Sequence, residues 1–386
     1  MNGKFSGKTP LVKTLRLSGP GLGTTGYEHM TRCFIRALAA QGVKLELHCL
    51  LSWSSTRLPP ESLADFKKLN HRRVQTRFHL HFCLPQQVKP SAGCRNINYT
   101  MFEATRLSQL WTEHSLKRDL IIVPTESSRR CWLNSGMPEH KVKVCPLGVD
   151  FSQFNPQVKP MAVPVSNGKP FDQFRFRFLN VSDFGGRKNI GGLLRAWLAA
   201  TDKTDDAVFI LKTNLNTPQK REKFQNHLHN AEEQAGKRFA DAAPFMLLEK
   251  SLLPEEMPNL FAAATHYWSV SHGEGFDLPM FEAAATGLQL VAPDHSAYQD
   301  YLRPEFAHLI PAREVPAHID DTPQLLSFFA GANWWQPDET AVVETLRGLI
   351  RGSISSKPSA RPALMPKYTW ENAAKRLQEI LAEGPQ

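Results

Sequence analysis

The chain has 386 residues, 41% hydrophobic and 22% charged, a balance that fits packed globular domains and excludes a mainly disordered polymer. Lys and Arg total 46 against 37 Asp and Glu; the resulting +9 attracts phosphates but does not choose among nucleic acid, nucleotide and anionic membrane. The basic residues are dispersed, with the densest group at His71-Arg72-Arg73 to Arg77, so a solvated face is expected there and no nucleic-acid partner.

No run approaches the roughly 18 apolar residues of a membrane span. The six cysteines are widely spaced, without a CxxC pair or zinc spacing. A reduced cytoplasmic chain is expected, with at most peripheral contact at the inner membrane face.

In chain order, LVKTLRL (11–17) is predicted as a strand that ends in the glycine loop GPGLGTTG (19–26). Met30, Phe34, Ala37 and Leu38 then recur on one helical face before Gly42, and VKLELHCL resumes an extended pattern, which opens a βαβ unit. Strands are predicted at 77–84, 96–100, 119–123 and 141–145, with helices near 103–114 and 125–135. This alternation implies a parallel sheet covered on both faces.

The stretch 155–173, rich in proline and polar residues, reads as an interdomain linker. A second alternating series follows, with strands at 175–181, 207–212, 244–248, 266–270 and 288–293. Its helices are predicted at 190–200, 217–235, 254–264, after Pro279 and at 295–302. Beyond 315 the pattern weakens, and DDTPQLLSFF and ANWWQPDE look irregular before a helix near 338–352. The last stretch is an amphipathic helix with Trp370, Ala374, Leu377 and Leu381 on one side.

These elements divide the chain into a lobe over 1–155, a linker over 156–174, a second lobe over 175–365 and a terminal helix over 366–386.

The segment SHGEGFDLPMFEAAATG (271–287) is a strand, loop and helix junction, and such a junction lies at the carboxyl edge of a parallel sheet, where ligands bind. The amides of Phe276, Asp277 and Leu278 fall at the helix N-terminus and favour negative charge nearby. Glu274 sits in the loop, within reach of a sugar held over it. Glu282 lies eight positions on, where a carboxylate can accept bonds from two vicinal hydroxyls. For two isolated glutamates, the preferred account is that Glu282 complements the helix dipole and Glu274 caps a turn.

The segment resembles the signature of the family-4 retaining glycosyltransferases, in which two glutamates are separated by seven residues. Glu274, Gly275, Phe276, Leu278, Pro279, Glu282, Ala283 and Gly287 match it. The resemblance implies a GT-B fold, an α/β architecture with two Rossmann-like lobes facing a central cleft and the last helix returning to the first lobe. It also implies that Glu274 contacts the donor sugar, Glu282 holds the nucleotide ribose, and the intervening amides touch sugar and diphosphate.

NVSDFGGRKN (180–189) resembles the family's basic loop, with Arg187 and Lys188 at the matching positions and Lys188 as the main contact to the leaving diphosphate. Many relatives carry an arginine about six positions ahead of the lysine; Ser182 stands there, and Arg187 is a candidate to replace that charge. PLGVD (146–150) and FNP (154–156) resemble the family's crossing into the second lobe.

The loop Gly21-x-Gly23-x-x-Gly26 also spells a dinucleotide fingerprint. A NAD-binding unit needs an acid at the end of the second strand, and Glu46 sits mid-strand. In the glycosyltransferase family the corresponding loop closes over the donor phosphates with amides around Gly23 and Thr24.

His79 and His81 share one strand face with no third metal ligand at a convincing spacing, so a structural role is expected. Family members often carry a sugar-contacting histidine at the cleft edge, for which His81 is the better candidate. Glu103 follows a strand end, where facing an acceptor and capping a helix are equal readings. No Asp-x-Asp occurs, in agreement with a metal-independent enzyme that needs no cofactor besides its nucleotide-sugar substrate.

The expected activity is transfer of a hexose-type sugar, with retention, from a UDP- or GDP-linked donor to a hydroxyl of a glycan, glycolipid or small-molecule acceptor. The donor is expected mainly on the second lobe and the acceptor on the first. Two alternatives stand beside it: a NAD(P)-dependent oxidoreductase using the Gly21 to Gly26 loop, and a non-catalytic protein that binds sugar nucleotides.

Overall fold

The computed structural model describes residues 11–383 except 52, 55, 70–71, 164–168 and 319–326. The chain forms two compact units: Met1–Val149 together with Lys367–Gln386, and Asp150–Pro366.

In the first unit six parallel strands lie in the order β2-β1-β3-β4-β5-β6. They are β1 (Thr14–Gly19), β2 (Lys44–Cys49), β3 (Phe78–Phe82), β4 (Arg95–Tyr99), β5 (Leu120–Val123) and β6 (Val142–Val144). The helices between them include α1 (Gly26–Ala40), α2 (Ala64–Leu69), α3 (Gln109–Leu116) and α4 (Glu126–Asn134). Helix α3 starts later than the predicted 103, because Ser108 caps it by accepting the Trp111 amide.

Because strand side chains alternate, Leu15, Leu17, Leu45, Leu47, Leu80, Phe82, Ile97 and Tyr99 fall on one buried face. Phe34 of α1 stacks on Phe82 at 5.2 Å between ring centroids, and Trp370 of the terminal helix (Trp370–Ala382) meets Phe34 at 5.4 Å. The amphipathic tail therefore packs on α1, within the lobe to which the resemblance returned it. Gly148 allows the close approach, since a Cβ there would lie 2.3 Å from the Trp370 amide nitrogen.

The second unit repeats the plan with parallel strands in the order β12-β11-β10-β7-β8-β9. These are β7 (Phe176–Val181), β8 (Ala207–Lys212), β9 (Phe245–Leu248), β10 (His266–Trp268), β11 (Gln289–Pro293) and β12 (His308–Ile310). The helices are α5 (Ile190–Ala200), α6 (Pro218–Ala235), α7 (Met257–Ala263), α8 (Leu278–Thr286), α9 (Tyr298–Tyr301) and, later, Glu339–Arg351. Phe178, Trp197, Phe209, Leu211, Trp268 and Leu346 build the core on the α5 face of the sheet.

In and beside the proline-rich stretch, Phe154, Phe171 and Phe174 are buried. The Met161 amide donates to the Asn259 carbonyl.

One expectation is corrected. The irregular-looking ANWWQPDE contains the strand Asn333–Pro337, which pairs antiparallel with Ala312–Pro316 in a separate two-stranded ribbon. Too short and too interrupted to show a period of two, the ribbon offered no local signal. DDTPQLLS falls mostly outside the described residues.

Candidate functional site

The site in the second unit is built where β7 and β10 end. Asn189 takes a left-handed conformation (φ 52°) and caps α5 by accepting the Gly192 amide, while its Nδ2 donates to the Val270 carbonyl at 3.0 Å. The basic loop is thereby tied to the end of β10, and the His272 amide reinforces this by donating to the Arg187 carbonyl at 2.8 Å. These ties bring together residues distant in the sequence: the Glu274 carboxylate receives Lys188 Nζ, 86 positions away, at 2.6 Å on one oxygen and Arg187 Nη1 at 2.9 Å on the other.

Glu274 is 4% exposed. Burial alone would raise its pKa, but Arg187 and Lys188 outweigh it and hold the carboxyl down at about 2. Arg187 also donates to the Gly273 carbonyl at 2.5 Å, so its guanidinium is committed to the glutamate loop.

Helix α8 begins as expected, with Pro279 in its first turn and Gly287 ending it in a left-handed conformation (φ 92°). Asp277, at φ 62°, precedes the helix with no side-chain cap bond. The amides of Asp277 and Leu278 have no protein partner among the described residues, which leaves two donors at a positive helix end.

The Asp277 carboxyl takes a hydrogen bond from the Tyr298 hydroxyl at 2.7 Å, and its Oδ1 is buried without a protein partner. Burial and then the Glu274 charge push it up to about 6. Glu282 is buried on α8, and burial together with Asp277 pushes its carboxyl up to about 8. Three carboxyl groups within nine residues thus titrate in widely separated ranges, as expected where charge is used for binding or chemistry.

Ser182 turns back to donate to Asn180 at 2.7 Å, while its amide donates to the Lys212 carbonyl. Lys212 ends β8 in register with Val181. Its half-buried ammonium has no hydrogen bond or ion pair among the described residues, and burial lowers its pKa. Nothing in the sequence singles out Lys212, since a lysine closing a strand is indistinguishable from an ordinary solvated one.

In the first unit the glycine loop is fixed from within. Arg32, 4% exposed, donates to the carbonyls of Gly21 and Gly23 at 2.8 and 2.6 Å. A Cβ on Gly23 would lie 2.2 Å from Ser54 Oγ and 2.3 Å from the Thr56 carbonyl oxygen, so close packing explains this glycine. Thr24 is exposed, and Thr25 with Glu28 forms a capping box on α1.

Glu46 is buried and engaged by Arg16 at 3.2 Å, by His48 at 2.8 Å and by the Val74 amide at 3.0 Å. An acid so occupied on the sheet face is not presented to a ribose, which removes the residue that the oxidoreductase alternative needed.

His79 and His81 are both buried. His79 bonds Ser18 and Ser91 at 2.7 and 2.8 Å, and burial lowers the two rings to about 3 and about 4, so both are neutral. Among the described residues no group of three or more His, Cys, Asp or Glu side chains is placed to hold a metal ion. Ser108 rather than Glu103 caps α3; Glu103 lies in the loop after β4.

Comparison with solved structures places this fold. Sucrose-phosphate synthase from Thermosynechococcus elongatus is similar at a TM-score of 0.64 with 16% identity, over 96% of this chain and 98% of that one. Anabaena HepE, solved with UDP and glucose, is similar at 0.62 with 13% identity, over 97% and 100%. A glycosyltransferase from Rickettsia africae is similar at 0.56 with 12% identity, over 97% and 100%. The fold is therefore GT-B, the α/β architecture of these glycosyltransferases. No protein-family model matches the chain, and no curated protein matches it.

Proposed function

We propose that the protein is a retaining glycosyltransferase of the family-4 type, which moves a hexose-type sugar from a nucleoside diphosphate donor to an acceptor hydroxyl in glycan or glycolipid synthesis. The observation that carries this reading is the buried Glu274 carboxylate held by Lys188 and Arg187, next to a helix start with unpartnered amides and Glu282 in its first turns. Similarity of fold to enzymes solved with UDP and UDP-glucose supports UDP as the first nucleotide to test, with GDP as the second.

In this reading Glu282 accepts the ribose hydroxyls, and the Asp277 and Leu278 amides take the diphosphate, with Phe276 shaping the turn that presents them. Lys188 neutralises the charge that grows on the leaving phosphate, and Glu274 orients the sugar. The bond from the anomeric carbon to the phosphate oxygen breaks with its electron pair going to the diphosphate. The acceptor oxygen attacks from the same face, and its proton passes to the departing phosphate oxygen. Lys188 and the helix dipole supply the positive charge, so no metal enters the proposal.

Calorimetric titration with UDP, GDP and NAD, followed by transfer and donor-hydrolysis assays over a panel of UDP- and GDP-sugars, tests the reading. Binding of a nucleoside diphosphate together with turnover is expected. Binding of NAD alone would favour the oxidoreductase, and nucleotide binding without turnover or hydrolysis would favour a non-catalytic protein.

A further inference from the structure

The ribbon of Ala312–Pro316 and Asn333–Pro337 joins neither six-stranded sheet. Two strands alone are marginal in water, so a ribbon of this kind persists by what it packs against. Its second strand lays one tryptophan on the glutamate loop and one on the segment after β11. Trp334 stacks on His272 with centroids 4.4 Å apart and planes at 17°, and Trp335 stacks on His295 at 5.2 Å and 11°. The Trp335 amide donates to the His272 carbonyl at 2.8 Å, and His272 Nδ1 donates to the Trp335 carbonyl at 3.0 Å. Trp335 is thus clamped to the loop by its backbone and to His295 by its ring.

From His295 the contacts continue inward. His295 is 1% exposed; its Nε2 donates to the Ser271 carbonyl at 2.8 Å, which fixes the tautomer and leaves Nδ1 to accept from Ser296 Oγ at 2.9 Å. With its proton directed at His295, Ser296 Oγ accepts the Glu274 amide at 3.1 Å. Ser296 stands at φ 43°, a left-handed conformation that a non-glycine residue keeps only when its surroundings hold it. Burial keeps His295 neutral, with a pKa of about 4, as a ring that donates once and accepts once requires.

We infer that Trp335, acting through His295 and Ser296, is a positioning residue that holds Glu274 in register with Lys188 and Arg187. The inference deepens the proposed function and rests on it for its effect on transfer, but the relay itself is a physical property of the loop. A glutamate in a glycine-flanked loop has no rigidity of its own. Here its amide is anchored on one side by Ser296, and its carboxylate is anchored on the other by two cations. Loss of the stacked indole frees His295, then Ser296, then the Glu274 backbone. Displacement of a reacting group by about 1 Å costs on the order of 100-fold in rate.

The test compares Trp335→Ala, Trp335→Phe and Ser296→Ala in the full chain, by hydrogen exchange of residues 272–278, calorimetry with UDP, and donor turnover. Trp335→Ala and Ser296→Ala are expected to speed exchange of this segment at least tenfold and to lower kcat by roughly 10- to 100-fold, with UDP affinity within about threefold. Trp335→Phe keeps a stacked ring and is expected to recover both exchange protection and kcat. If Trp335→Ala fails to fold, Ser296→Ala makes the same test without touching the ribbon. Unchanged exchange in the folded variants overturns the inference whatever the activity. A wild-type chain that turns over no donor, but shows the expected exchange, overturns the proposed function and leaves the relay standing.

Discussion

The Glu274 carboxylate and the Lys188 ammonium lie 2.6 Å apart, and the same carboxylate takes Arg187 on its other oxygen at 2.9 Å. The Lys188 ammonium proposed to meet the diphosphate is therefore already neutralised, in part, by the glutamate proposed to orient the sugar.

This shared use predicts an opposed pair of effects for Glu274→Gln. Removing the negative charge leaves Lys188 to the diphosphate, so UDP should bind about three to ten times more tightly, a gain of roughly 1 kcal/mol. Turnover should fall by at least about 100-fold as the sugar loses its partner. Calorimetry alongside initial-rate assays reads both, and weaker UDP binding would show that Glu274 organises the cations instead of competing for them.

Lys188→Ala should leave a folded protein, because the lysine is partly solvated at the rim of the loop and its partner Glu274 keeps Arg187. The loss of transition-state charge neutralisation should lower kcat by about 100- to 1,000-fold, more than it raises KM. Near-normal kcat in this variant would remove Lys188 from the chemistry.

Glu282 makes nucleotide binding depend on pH. Its carboxyl, at about 8 in the unliganded protein, is mostly protonated at pH 7, whereas a carboxylate that accepts two ribose hydroxyls must be ionised. UDP binding at pH 7 should therefore release close to one proton, and affinity should rise from pH 6.5 to 8.5. Calorimetry in buffers of different ionisation enthalpy measures the release, and Glu282→Gln should abolish it.

The sign for stability follows from the same shift. A folded pKa above the usual 4.5 means that the stability Glu282 contributes is complete below about pH 4.5 and is lost as the pH rises through about 8. Glu274, held down at about 2, behaves oppositely: its contribution is present above pH 4.5 and is lost as the pH falls through 2. Glu282→Gln should therefore flatten the decline in Tm between pH 5 and 8, and a decline as steep as in the wild type would contradict the assignment.

Much of this was legible in the sequence. The alternation that repeats from Leu11 to Val144 and again from Arg175 to Pro293 showed two parallel sheets, and Pro279 and Gly287 bounded α8. The spacing of Glu274 and Glu282 marked the loop on which the donor site is proposed. What stayed hidden depends on contacts between distant residues. The pairing of Lys188 with Glu274 spans 86 positions. The ribbon that sets Trp335 on His295 has no periodicity short enough to read. At Gly23 the motif pointed to a ligand, and the close approach of Ser54 and Thr56 and the bond from Arg32, which come from distant positions, could not be read from it.

Lys212 bears on the charge that Ser182 does not carry. Arg187, the candidate replacement from sequence, is committed to Gly273 and Glu274. Lys212 lies across from Val181 at the carboxyl edge, one strand from the basic loop. Leu211 packs into the core on the α5 face, so Lys212, the next residue, projects to the face that carries α7 and α8. A half-buried ammonium without a partner weakens the folded state, and an anionic ligand would offset that cost. Lys212→Met should therefore leave Tm unchanged or higher while weakening UDP binding about five- to tenfold, roughly 1 kcal/mol. Lys212→Arg should restore most of the affinity. Thermal melts with and without UDP, read beside calorimetry, separate the two effects, and a Lys212→Met protein that binds UDP as the wild type does would place this lysine outside the donor site.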